Sequence, residues 1–201
     1  MGDSDDSSNQ PEDSSLDQMM QHLEEAKERT TSSSSRRRKQ SQYSGLAQKI
    51  RKHRSVAVLT KNYSKRLEEL VEYDAITHRS SSTWTTAESA VDAHGSLPIY
   101  YRTEDTVTHA GIITDIVIEP DSESDDIEKF QKHISENDTY SEYNEELDTT
   151  TYIVEHGHKL DDPFPMTDLK KLSDNEPVSA GFWRGAPAYV FQRERDFQSI
   201  P

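Results

Sequence analysis

Apolar side chains in this chain are gathered into a few short, β-branched runs instead of being spread at helical spacing. "SVAVLT" from Ser55, "LPIYYRT" from Leu97, "HAGIITDIVIE" from His109, "TTTYIVEHG" from Thr149 and "AYVFQ" from Ala188 read as five strands, each bounded by polar or turn-forming residues. Helical patterns between them are brief. "GLAQKIRKHR" from Gly45 puts Leu46 and Ile50 on one face, "NYSKRLEELVEYD" from Asn62 spaces Leu67, Leu70 and Val71 for a helix, and a short helix is expected over Thr86–Ala93. "AITHRSSSTWTTAESAVDAHGS", which holds that helix, otherwise reads as a polar connection, and a one-turn helix is expected at Thr167–Lys171. There is no regular strand–helix–strand alternation, so a doubly wound sheet is not expected. The expected fold is α+β: a small curved or closed β-barrel of about five strands with short helices, preceded by a disordered N-terminal tail.

With 31% hydrophobic residues among 201, the chain cannot bury all of itself in one core. "MGDSDDSSNQPEDSS" is too polar to offset chain entropy, and the linker-like "TTSSSSRRRKQSQYSG" follows a helical spacing of Leu16, Met19, Met20, Leu23 and Ala26. We therefore expect residues 1–45 to form a disordered tail, acidic then basic, with a short partner-binding helix at 16–29, and residues 46–197 to form the folded domain. A second acidic stretch, 120–148, interrupts the strands and reads as a solvated insertion. Without cysteine there is no disulfide and no thiolate-held metal. No run reaches the roughly 18 apolar residues of a membrane span. The expectation is a cytoplasmic protein, and the dense Asp, Glu, Ser and Thr suggest a halophilic, archaeal cytoplasm.

Charge is distributed very unevenly. Arg29–Leu67 holds 12 of the 23 Lys and Arg and none of the 38 Asp and Glu, in a chain of formal net charge -15. Exclusion of every carboxylate over such a length points to a polyanion. Phosphate contact is assigned to Arg36, Arg37, Arg38, Lys39, Lys49, Arg51, Lys52, Arg54 and Lys61; arginine in the first cluster suits bidentate pairing with phosphate oxygens.

Three aromatic clusters could meet a nucleobase. Trp84 lies among hydroxyls including Ser82 and close to His78, a composition suited to stacking plus edge hydrogen bonds. Tyr100, Tyr101 and Arg102 share a strand, so alternate residues face opposite sides, with Tyr100 expected to be the exposed tyrosine. "GFWRG" sets Phe182, Trp183 and Arg184 between glycines as a pocket wall. His156 and His158 in "HGH" share a strand face, but spacing supplies no third ligand, so neither metal nor cofactor is expected. P-loop, HExxH and nucleophile-elbow motifs are absent, which argues against an enzyme of those classes.

The order of these elements resembles the PUA-like superfamily, in particular its EVE and ASCH branches. The carrying stretches are "VAVLT" followed by a helix, "HGSLPIYYR" as a turn glycine before a strand, "AGIITDIVI", then "TTYIVEHGHKLDDPFPMTDLKKL" as strand, Pro-containing link and short helix, and "SAGFWRGAPAYV" as the closing segment. The resemblance implies a small barrel that reads a flipped or modified base of RNA or DNA in an aromatic-lined pocket. Two rivals accompany it: a regulatory module that binds DNA non-specifically, and an ASCH-like hydrolase of a modified nucleoside using Lys61, Tyr100 and Arg102.

Overall fold

Val56–Lys61 forms the strand β1, and its alternation places Val56 and Val58 on one face and Ala57 and Leu59 on the other, all buried. A strand apolar on both sides needs cover on both sides, and that requirement organises the fold. A computed structural model of the chain describes residues 45–120, 127–133, 149–181 and 187–197. Backbone contacts divide the chain into Met1–Gln42 and Tyr43–Pro201, and every described residue belongs to the second unit.

Within it, α1 (Gly45–Ile50) precedes β1, and α2 (Ser64–Glu72) follows it. Then come β2 (Ala75–Ser80), α3 (Thr85–His94), β3 (Leu97–Thr103), β4 (Thr106–Ile118), α4 (Ile127–Gln131) and β5 (Thr150–Pro165). A 3₁₀ turn at Met166–Asp168, β6 (Ala188–Phe191) and a 3₁₀ turn at Glu194–Asp196 complete the described elements. α3 stops at Gly95, whose φ of 81° lets its N–H reach back to the Val91 carbonyl at 2.8 Å, a left-handed cap that glycine adopts without strain.

Six strands form one mixed sheet in the order β2-β5-β4-β3-β1-β6. β1 and β3 run parallel and every other pair is antiparallel. The α+β class holds, but the sheet is not a closed barrel: β2 and β6 terminate the ladder instead of pairing with each other. Each end is covered differently. Thr77 donates its backbone N–H to the His133 carbonyl at 2.8 Å and its hydroxyl to the Phe130 carbonyl at 2.6 Å, laying α4 along β2. Leu172 donates to Tyr189 O at 2.8 Å and Phe191 to Lys170 O at 2.9 Å, laying the chain after β5 along β6. Both edges are thus protected from further pairing, and closure is not needed to remove them.

The sheet is nonetheless strongly curved. β5 and β4 lie between β2 and β3, so in a flat sheet His78 and Tyr101 would sit about 14 Å apart, three inter-strand spacings. Their ring centroids are 5.4 Å apart. Register shifts along β4–β5, near Val107/His109, Ala110/Ile112 and Ile113/Asp115, supply the bending.

The concave face carries one core, with Val58, Ile99, Tyr101, Tyr152, Val154 and Trp84 packed beneath Leu67 and Leu70 of α2 and Ala87 and Ala90 of α3. The opposite face carries another, with Leu59, Tyr100, Ala110, Leu160, Phe164, Met166, Leu169 and Val190. β5 serves both cores by turning at His156, whose φ is 54°, and Gly157. A Cβ at Gly157 would overlap the Leu70 carbonyl, so this glycine is what lets α2 lie against the bend. β2 and the second half of β5 depart from the sequence expectation of a polar connection and a Pro-containing link. The ladder between β2 and β5 ends at Ala75↔Glu155, so beyond that point β5 has a partner on one side only, and an edge tolerates Pro163.

Candidate functional site

The described part of the basic segment is only partly available to a ligand. Lys49 donates to the carbonyl of Leu172, and to that of Ser173 at 3.4 Å. Arg51 donates to the Ser89 carbonyl at 3.3 Å and to its hydroxyl at 3.4 Å. These two cations, read from sequence as phosphate contacts, fasten α1 to the domain. Ala47 and Ile50 are fully buried behind them. Lys52, Arg54 and Lys61 are exposed. Arg36, Arg37, Arg38 and Lys39 lie outside the described residues, as does the expected helix at 16–29.

The aromatic residues do not assemble into one open pocket. Trp84 is buried on the concave face, stacked on Tyr152 at 4.7 Å with its indole N–H donating to the Ser82 hydroxyl at 2.9 Å. The Thr150 hydroxyl donates to the Ser82 carbonyl at 2.8 Å and receives the backbone N–H of Trp84 at 3.2 Å. The hydroxyls around Trp84 therefore order the loop before α3. Tyr100 lies in the opposite core and donates to Asp196 at 2.8 Å. Because both faces of β3 are covered, Tyr100 and Tyr101 are equally inaccessible, contrary to the expectation that Tyr100 would be exposed. Arg102 is also buried and donates to the Glu104 carbonyl. Phe182, Trp183 and Arg184 lie outside the described residues.

What the concave face does assemble is a buried polar cluster. His78 Nδ1 lies 2.6 Å from the Tyr101 hydroxyl and 3.3 Å from the Asn62 side-chain amide. The His78 ring meets Tyr152 edge-on at 5.8 Å. Arg66 of α2 pairs with Glu69 and donates to the Thr77 carbonyl at 2.7 Å, so a buried ion pair sits against the strand that carries His78. Burial first, and then the Arg66 guanidinium, push the His78 pKa down to about 3, with the Arg66 backbone opposing in part. The imidazole is thus neutral at physiological pH, and an unprotonated Nδ1 can accept the Tyr101 hydroxyl, the nearer of its two neighbours. Nε2 is buried without a hydrogen-bond partner among the described residues. Burial and contact with Tyr152 push the Tyr101 pKa well up, so its proton is retained.

At the margin of this face lies an open groove of about 430 Å³. Ser64, Leu67, Glu68 and Val71 of α2 line one side, and Thr103, His109 and Lys159 of β3, β4 and β5 line the other. His109 is the ladder partner of Tyr101 on β3 and of Lys159 on β5, so the three side chains leave the sheet on the same face. His109 Nδ1 lies 2.9 Å from the Thr108 hydroxyl. Burial, Lys159 and His158, in that order, lower the His109 pKa. A smaller hollow of about 240 Å³ between β5 and the last 3₁₀ turn shares Lys159 with the groove and is otherwise lined by paired charges and Asp161. There Arg195 pairs with Asp162 at 2.8 Å, and Asp196 accepts from Tyr100.

Sequence reasoning missed the groove because its two basic members are 50 positions apart and become neighbours only through the β4–β5 register. The one usable signal was polar residues on otherwise apolar strands. Among the described residues no three His, Asp or Glu side chains are grouped to hold a metal ion; His158 Nδ1 instead faces the His156 carbonyl at 3.0 Å. No described helix is long and apolar enough to cross a membrane. Comparison with known proteins finds no matching family model, no matching curated protein and no matching solved structure.

Proposed function

We propose that this chain is a nucleic-acid-binding module whose basic segment, Arg36–Arg54, contacts phosphates. The observation that carries the reading is the charge distribution: 12 of 23 cations and none of the 38 acids fall between Arg29 and Leu67. A polyanion exchanges its condensed counterions for such a segment, a driving force independent of base sequence. The anchoring of α1 through Lys49 and Arg51 adds a physical role, since it holds exposed Lys52 and Arg54 at a fixed place beside the start of β1. The PUA-like reading belongs to this proposal as an origin for the fold, resting on element order. Its base-reading pocket is not supported at Trp84 and Tyr100, which are core residues on opposite faces.

The test is fluorescence anisotropy with labelled single-stranded RNA and with single- and double-stranded DNA at low salt. The full chain is compared with a chain lacking residues 1–44, a deletion that spares the buried α1. Loss of most of the affinity on deletion, with the remainder falling further in Lys52→Gln/Arg54→Gln, is the expected result. Equal affinity in all three proteins would overturn the reading.

A further inference from the structure

We propose that the groove between α2 and the β3–β4–β5 face is a binding site for a nucleotide-sized phosphate monoester: a phosphate group on an apolar or aromatic body. The site goes beyond the basic segment and does not depend on it.

Size is the first argument. A volume of about 430 Å³ falls inside the roughly 300–1,000 Å³ range of small-molecule sites. Chemistry is the second. Lys159 and His109 are direct cross-strand partners, and Ser64 and Thr103 bring hydroxyls from α2 and β3 into the same groove. An ammonium, an imidazole and the Thr103 hydroxyl on one wall can hydrogen-bond phosphate oxygens, with the Ser64 hydroxyl on the wall across from them. The local field is the third. Lys159 is a cation directly across the ladder from His109, within a chain whose residues outside Arg29–Leu67 are strongly acidic.

The opposite wall differs in character. Val71, 49% exposed, supplies apolar surface there, with Leu67 buried behind it. Glu68 stands between them on the same helix, yet forms no ion pair with Lys159 among the described residues. Glu68 and Lys159 thus give the groove one charge of each sign, on opposite walls. Phosphate would pair with the Lys159 ammonium, and a neutral His109 would donate a ring N–H to it. A flat body would cover Val71, and Glu68 would accept from an amino or hydroxyl group on that body.

Calorimetry on the full chain with adenosine 5′-monophosphate, phenyl phosphate, adenosine, inorganic phosphate and glutarate tests this. The monophosphate should bind, phenyl phosphate more weakly, and adenosine and inorganic phosphate more weakly still. Lys159→Gln and His109→Gln should each weaken monophosphate binding by about tenfold or more, with unchanged circular dichroism. Lys52→Gln/Arg54→Gln should leave it unchanged while reducing oligonucleotide binding, which separates failure of this site from failure of the basic segment. Monophosphate binding that is undetectable, or unaffected by both groove substitutions, would overturn the site. Glutarate binding as tightly as the monophosphate would overturn its preference for phosphate.

Discussion

Tyr100 and Tyr101 are adjacent on β3 and equally buried, but the two faces of the sheet treat their hydroxyls differently. Tyr101 points into the concave face and meets a neutral imidazole, enclosed by α2, α3 and an internal ion pair. Tyr100 points into the opposite core and meets the carboxylate of Asp196, which Arg193 also approaches at 3.4 Å. Burial and the bond to Asp196 push the Tyr100 pKa up, so it too remains a donor. Arg193 lies over the Phe164 ring at 3.7 Å and donates its backbone N–H to the same tyrosine oxygen at 3.1 Å. One face is sealed around a neutral imidazole beside a buried ion pair. The other is closed by charges at its rim. Polar residues in this fold are therefore structural as often as they are available to a ligand, and the distinction lies in what covers them.

The largest disruption should come from Trp84→Ala, which removes the ring stacked on Tyr152 and opens a cavity in the concave core. Denaturant unfolding should show a loss of about 3–5 kcal/mol, with nucleic-acid affinity unchanged in any protein that remains folded. Full stability with lost binding would instead make the concave face a binding site. Gly157→Ala comes next at about 2–3 kcal/mol, because the new methyl group meets the Leu70 backbone and must push α2 off the bend. Phe164→Leu on the other face should be milder under the same measurement.

Acid sharpens the comparison further. His78 is held neutral with a pKa near 3, whereas in the unfolded chain it titrates near 6.5. Between those values the unfolded state binds the extra proton, so the contribution of His78 to stability is whole above about pH 6.5 and is lost as pH falls toward 3, by up to about 1.4 kcal/mol per unit. His78→Gln should reduce stability at pH 7.5 and show a shallower decline between pH 6.5 and 4.5 than the native chain. Identical slopes would mean that the imidazole charges inside the fold. The smallest effect is expected from Tyr100→Phe, about 1 kcal/mol, since Asp196 keeps Arg193 as a partner.

Much of this was visible in the chain itself where apolar residues carry the pattern. The runs "VAVLT", "PIYY", "GIITDIVI" and "TYIV" are strands, and the short helices at Gly45, Ser64 and Thr85 follow their spacing. β2 was hidden because its buried members include Thr77 and His78, whose burial is made acceptable by partners distant in sequence. Alternation correctly sent Tyr100 and Tyr101 to opposite faces, but a period of two cannot tell whether a second layer covers the outer one. The segment Leu160–Val178 provides that layer, and its prolines and aspartates read as a turn. The groove depends on register, which shifts by three residues between Val107 and His109 and by one at each of the other two β4–β5 irregularities.

Binding through a concentrated basic segment makes a sharp demand on salt dependence. The slope of log K against log [KCl] for a single-stranded oligonucleotide should be measured for the full chain and for a variant with Arg36, Arg37, Arg38, Lys39, Lys52 and Arg54 all changed to Gln. The account predicts a steep negative slope that flattens by roughly 0.7 for each phosphate contact removed, about 4 in all, with affinity falling in parallel. An unchanged slope and affinity in the six-residue variant would contradict it.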